Sequence, residues 1–216
     1  MYVYKGVIFD LDGTLLNDKK EISKRTYDAL IEASNNGVYV VLASGRPIRG
    51  MLKLIKELKL DEKENYAINF NGGSINRTTD LSSIFNCSLT KSEMLEVEEF
   101  AKEHHIHSHA FVDGECYIEE NGHYSDVEAN INSIPLHLIK YEDLNDNVVV
   151  NKYMFADEPS KLKEIYPLIP GAFFDKYTVV YSAPFFLEFL NKETNKGKAL
   201  EALCKHLNIN KDEPYI

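Results

Sequence analysis

Gly6-Val7-Ile8-Phe9-Asp10-Leu11-Asp12-Gly13-Thr14 runs from a short apolar stretch straight into two aspartates one residue apart. Continuous rather than alternating apolarity predicts a strand buried on both faces, as in parallel α/β sheets. The two acids then stand at the C-terminal end of that strand, where open α/β sheets place their ligands. Strand geometry points one carboxylate into the crevice, and the Gly13 turn lets the second swing over it. Such a pair can divide labour. One carboxylate stays ionised as a nucleophile, while the other, raised in pKa by its neighbour, donates a proton.

Downstream, the pattern repeats. Ser23 offers an N-cap, Tyr27, Leu30 and Ile31 trace a helical face, and Gly37 is a C-terminal stop. Val38-Tyr39-Val40-Val41-Leu42 reads as a second buried strand, and Ile48, Met51, Leu52, Ile55 and Leu58 follow at helical spacing. Tyr66 to Phe70 is a third strand, closed by Asn71-Gly72-Gly73. Strand and helix in alternation predict a doubly wound, Rossmann-like parallel sheet.

From about Ser83 the pattern changes to antiparallel, hairpin-linked strands. Ser92 to Glu103 reads as an amphipathic helix. Phe111-Val112, Cys116 to Ile118 and His123-Tyr124 read as strands separated by the turn dipeptides Asp113-Gly114 and Asn121-Gly122. Val148 to Phe155, a helix from Ser160 to Leu168, and Tyr177 to Tyr181 continue an α+β unit. Phe185 to Leu190 looks like a strand leading back to the first domain. The expected organisation is a discontinuous core, 1–82 and 186–216, with an α+β domain, 83–185, inserted into it.

Composition narrows the function classes. Of 216 residues, 44% are hydrophobic and 27% charged, which argues against wholesale disorder. No apolar run approaches the ~20 residues that span a bilayer. Lys and Arg number 24 against 34 Asp and Glu, a net charge of −10. That balance repels polyphosphate backbones and anionic lipid, so neither a nucleic acid nor a membrane is an expected partner. Cys87, Cys116 and Cys204 are odd in number and widely spaced, which suits a reducing cytoplasm better than a disulfide framework or a zinc site.

With Asp10-Leu11-Asp12-Gly13-Thr14 in place, the sequence resembles the haloacid-dehalogenase-like (HAD) superfamily, whose first motif is DxDGT. Ser44, in Leu42-Ala43-Ser44-Gly45-Arg46-Pro47, matches the second motif, a hydroxyl at the tip of the second strand. There it holds a phosphoryl oxygen with the following backbone N–H groups, helped by a helix N-terminus opening near Pro47. The Ser-Gly-Arg-Pro string resembles the Cof-type sugar-phosphatase branch. Arg46 either contacts a substrate anion or pairs with a surface acid. Asn71-Gly72 matches a position near the substrate in that branch, or is a turn satisfied by its own backbone. Lys196, in Asn195-Lys196-Gly197, falls where the third motif's lysine belongs, while Lys192 and Lys198 read as solvated. The insertion between the third strand and Lys196 resembles a cap of the second type, which closes over the site and sets substrate choice. His104, His105, His107 and His109 lie in that insertion and read as surface or cap-lining residues rather than as a metal site.

The resemblance implies a Mg²⁺-dependent phosphatase acting on small phosphorylated metabolites. Asp10 is the nucleophile and Asp12 the general acid and base. Ser44, Gly45, Arg46, Asn71 and Lys196 bind the substrate and its phosphate. Asp10 and the main-chain carbonyl of Asp12 ligate the metal. A dehalogenase is the weaker enzyme alternative, since that chemistry has no use for an acid at position 12. The family's fourth motif, Gly-Asp-x-x-Asn-Asp, is expected after Tyr215-Ile216, where the sequence ends. A second expectation follows: a catalytically impaired or non-catalytic binding module, whose first strand is an exposed sheet edge open to self-association. Pro214-Tyr215-Ile216 itself reads as the start of a strand.

Overall fold

The computed structural model describes residues 4–209; the strand expected at Pro214-Tyr215-Ile216 lies outside them. The chain divides into two compact units, residues up to Asn86 with those from Asn195 onward, and Cys87–Thr194.

In the first unit, β1 (Gly6–Asp10), β2 (Tyr39–Ala43) and β3 (Tyr66–Asn69) are parallel, with Asp10 beside Ala43 and Ala43 beside Ile68. β2 shows why its sequence is apolar throughout. Val40 and Leu42 pack with Leu30 of α1 (Lys24–Asn35) and Ile55 of α2 (Leu52–Glu57). Val41 and Ala43 point the other way, toward Ala199 and Leu203 of α7 (Lys196–His206). A strand covered by helices on both faces has no solvent side to carry polar residues. Ser23 caps α1, its hydroxyl accepting the Thr26 N–H at 3.1 Å, and Gly37 follows at φ +79°.

Two antiparallel strands, β4 (Ser74–Arg77) and β5 (Ser83–Asn86), extend the core sheet in the order β1-β2-β3-β4-β5. This moves the first boundary from the expected 82/83 to 86/87, because residues 83–86 hydrogen-bond to the core sheet.

The second unit is a six-stranded sheet in the order β10-β11-β9-β6-β7-β8. Its strands are β6 (Ser108–Val112), β7 (Glu115–Ile118), β8 (Leu136–Leu138), β9 (Val150–Ala156), β10 (Tyr177–Ala183) and β11 (Phe186–Asn191). α3 (Lys91–Glu103), α5 (Pro159–Ile165) and α6 (Gly171–Lys176) bury Val97, Phe100, Leu162 and Phe173 against Tyr153, Phe155 and Phe189. Thr90 and Glu93 close a capping box at the start of α3. Asp113-Gly114 makes the β6–β7 hairpin with both residues at positive φ, as the dipeptide predicts.

Two expectations change here. Phe186–Asn191 pairs with β9 and β10 instead of returning to the core sheet, which moves the second boundary from 185/186 to 194/195. His123-Tyr124 opens a helix, α4 (His123–Asn132), instead of forming a strand. The residues α4 buries are Ser125, Glu128, Ala129 and Asn132. Their spacing is helical but three of the four are polar, so apolar periodicity has nothing to register.

That polar face meets a buried polar cluster on the sheet. Lys152 of β9 donates to Glu188 Oε1 of β11 at 2.9 Å and stands 3.8 Å from Glu128 Oε1 of α4. His109 of β6, wholly buried, bonds through Nδ1 to Ser125 Oγ at 3.1 Å. Burial, with the Lys152 charge second, pushes His109 down to about 3. An unfolded chain whose histidine titrates near 6.5 takes up a proton that the native state refuses. The stability carried by neutral His109 is therefore whole above about pH 6.5 and is lost as pH falls from there toward 3. His109→Gln is expected to flatten the acid side of a stability-against-pH curve measured by urea denaturation. A wild-type acid slope in the variant contradicts the assignment.

Candidate active site

β1, β2 and β3 end side by side, and their C-terminal ends carry the site. Asp10 closes β1. The chain then turns back on itself, with the Leu15 N–H donating to the Asp10 carbonyl at 3.1 Å and the Leu16 N–H to the Leu11 carbonyl at 2.9 Å. Gly13 takes φ +79° in this turn. Ser44, 4% exposed, follows β2, and its N–H donates to the Ile68 carbonyl at 2.9 Å. Ser44 Oγ accepts the Arg46 N–H at 3.2 Å, which leaves its own O–H to donate outward. Asn71 follows β3; its N–H donates to the Ser44 carbonyl at 3.0 Å, and its side-chain amide lies over Gly45.

Lys196, the first residue of α7, donates from Nζ to Asp10 Oδ1. Asn195 caps that helix, its Oδ1 accepting the Lys198 N–H at 2.8 Å. Asp10, Lys196, Ile8, Ala43, Ile68 and Leu200 line a cleft of about 370 Å³ with mostly apolar walls. Lys192, the neighbouring alternative, belongs to the second unit and donates to the Phe174 carbonyl at 2.6 Å.

Asp12 differs from expectation. Arg46 Nη2 donates to its Oδ1 at 2.8 Å and its Oδ2 at 3.2 Å, and Lys20 Nζ to Oδ1 at 2.8 Å. Partial burial raises its pKa, but the Lys20 hydrogen bond and the Arg46 charge outweigh that and hold the carboxyl below its usual range. Asp12 is thus a cation-bound carboxylate in this state, not an acid raised by a like-charged neighbour. Arg46 pairs with an acid of the site itself. Lys20 was not a candidate: it reaches Asp12 from a turn in which its own backbone takes φ 60°, and no spacing rule marks such a residue.

The helix expected to open near Pro47 is a 3₁₀ turn, Ile48–Met51, and α2 starts only at Leu52. Its six residues are too few for a strong macrodipole, so the Ser44 hydroxyl and the Gly45 backbone are the local groups left for an anion, the Arg46 N–H being bonded to Ser44 Oγ. The insertion's histidines lie in the second unit. His104 bonds the Phe100 carbonyl at 2.9 Å, His107 pairs with Asp157 at 3.2 Å, and His109 is buried under α4.

The residues expected to hold a metal offer oxygen donors, and in this state both carboxylates are held by cationic side chains, Asp10 by Lys196 and Asp12 by Arg46 and Lys20. Among the described residues no group of three or more His, Cys, Asp or Glu is arranged to hold a metal. A hard-oxygen pair fits a Mg²⁺ ion, which keeps several waters and takes one or two carboxylates together with substrate phosphate.

An open α/β core thus carries an aspartate at the tip of β1, a hydroxyl just after β2 and a lysine opening α7. The chain belongs to the haloacid dehalogenase-like hydrolase family, whose profile matches residues 7–216. It is 36% identical over 207 residues to a protein of Streptococcus pyogenes serotype M6 that carries a provisional phosphatase name, a match covering 95% of this chain and 77% of that one. A similarly named Bacillus subtilis protein, YxeH, is 33% identical over 213 residues, covering 98% and 79%. The crystal structure of a haloacid dehalogenase-like hydrolase from Bacteroides thetaiotaomicron superposes with a TM-score of 0.85 at 28% identity, covering 98% and 80%. The resemblance to the HAD superfamily and its Cof-type branch therefore holds, and no helix among the described residues is long and apolar enough to cross a membrane.

Proposed function

We propose that the chain is a Mg²⁺-dependent phosphatase of small phosphomonoesters, sugar phosphates foremost, working through an aspartyl-phosphate on Asp10. The observation that carries this reading is the meeting of Asp10 with Lys196 beside Ser44, three residues from distant parts of the sequence, at one sheet end. An Asp10 oxygen attacks phosphorus in line; the new O–P bond forms as the bond to the leaving alkoxide breaks. Asp12, carrying a proton in the substrate complex, gives it to that alkoxide. The incoming phosphate dianion competes with Asp12 for Arg46 and repels its charge, and both effects raise its proton affinity. In the second half, Asp12 takes a proton from water as the water oxygen attacks phosphorus and Asp10 leaves. Lys196 and the Ser44 hydroxyl stabilise the charge on the transferring group. Mg²⁺, held by Asp10 and the Asp12 main-chain carbonyl, would neutralise phosphate charge. Asn71 and Gly45 border the place the phosphate occupies. Free thiols at Cys87, Cys116 and Cys204 support the cytoplasmic expectation.

The test is phosphate release by the 216-residue chain from a panel of sugar phosphates and para-nitrophenyl phosphate, with Mg²⁺ and with excess EDTA. Turnover that EDTA abolishes and Mg²⁺ restores is expected. Release indifferent to EDTA contradicts the metal assignment. No release at all favours the other expectation, a module that binds without turning over.

A further inference from the structure

The turn after β3 contains three consecutive residues with positive φ: Phe70 at 50°, Asn71 at 57° and Gly72 at 102°. Left-handed backbone is unfavourable for a residue with a side chain, and a run of it persists only where the surroundings dictate it. Here they do. Phe70 is buried, its N–H donates to the Arg46 carbonyl at 3.3 Å, and the Asn71 N–H donates to the Ser44 carbonyl. One side of the turn is thus bonded to the loop that carries Ser44.

Its other side lies against the chain entering α7. A Cβ on Gly72 would sit 2.3 Å from the Asn195 carbonyl oxygen, 2.4 Å from its carbon and 2.9 Å from the Lys196 nitrogen. All three are backbone atoms, so no side-chain rotation relieves the overlap. The turn and the helix start must therefore move apart, by on the order of 1 Å, a displacement that in an active site can cost ~100-fold in rate.

We propose that Gly72 is a positioning residue: its missing side chain lets the Ser44 loop and the start of α7 share one backbone wedge, and so sets Lys196 against Asp10. Gly72 touches neither substrate nor the reacting atoms. It acts through Lys196. The kinetic arm of the test rests on the phosphatase reading, while the structural arm does not.

The test compares Gly72→Ala with the parent in two ways. In crystals of the variant, the Lys196 contact with Asp10 is expected to be broken; a retained contact overturns the proposal. In steady-state assays, kcat is expected to fall ~10- to 100-fold in the parent background and less than ~2-fold in a Lys196→Ala background, because both changes remove the same interaction. Equal losses in the two backgrounds indicate a merely structural role and overturn it. If Gly72→Ala does not fold, Asn195→Ala is the second variant, since removing the cap loosens the same helix start. Its loss in kcat is expected to vanish in the Lys196→Ala background, and an additive loss overturns the proposal. A parent without turnover counts against the phosphatase reading alone, and the crystal comparison still decides this one.

Discussion

Asp10→Asn is expected to reduce phosphate release by on the order of 10⁴-fold or more, the scale on which covalent enzymes lose rate with their nucleophile. The amide keeps the shape of the carboxylate but offers no anionic oxygen to phosphorus and holds a hard cation weakly. The fold should not follow the activity down. Asp10 and Lys196 are each about 41% exposed, and a pair in contact with solvent contributes only ~0–1 kcal/mol. The variant should therefore unfold within a few degrees of wild type by circular dichroism while its turnover vanishes. Undiminished kcat in a folded Asp10→Asn protein would exclude an aspartyl-phosphate mechanism.

The largest stability effect is expected in the second unit, at Lys152. This ammonium, 2% exposed, is held by Glu188 at 2.9 Å, by Glu128 at 3.8 Å, and over the face of the Phe111 ring at 5.1 Å from its centroid. Lys152→Met replaces it with a side chain of similar length and no charge, and leaves two buried carboxylates without their cation. Breaking a buried ion pair from one side costs about 3–5 kcal/mol, more than its net contribution, because the remaining charge stays desolvated. Replacing Lys152, Glu188 and Glu128 together by apolar residues of similar volume is expected to recover most of that loss. Urea denaturation of the single and triple variants reads both numbers. A loss under ~1 kcal/mol for Lys152→Met would mean that water reaches the cluster.

Legibility in the sequence followed the local physics of each segment. The continuous apolar run at Val38–Leu42 announces a strand buried on both sides, because such a strand has no face that tolerates polar residues. The run at Gly6–Phe9 also forms a strand, but at the edge of the described core sheet, where its residues after Gly6 are only partly buried. Ser23 and Gly37 mark their helix because caps act through backbone geometry within a few residues. α4 was hidden for the complementary reason. Its inward face is Ser125, Glu128 and Asn132, which become core residues only because Lys152 and His109 wait beneath them. Phe186–Asn191 is apolar enough for any buried strand, and nothing local says which sheet receives it.

The candidate site divides along the same line. Asp10 and Asp12 are readable as an acid pair at and just past a strand end, whereas Ser44, Asn71 and Lys196 are singled out by the resemblance to the HAD motifs. Strand, helix and turn are short-range choices, governed by propensity, capping and the period of apolar residues, and one sequence suffices to read them. The ionisation of Asp12 is not of that kind. It depends on Lys20 and Arg46, 8 and 34 residues away, arriving within 3 Å of it. Nor is the placement of Lys196, whose backbone abuts the empty Cβ position at Gly72, 124 residues before it. Charge interactions and steric exclusion act through space, so only the folded chain determines which of the readable residues meet and in what state they do so.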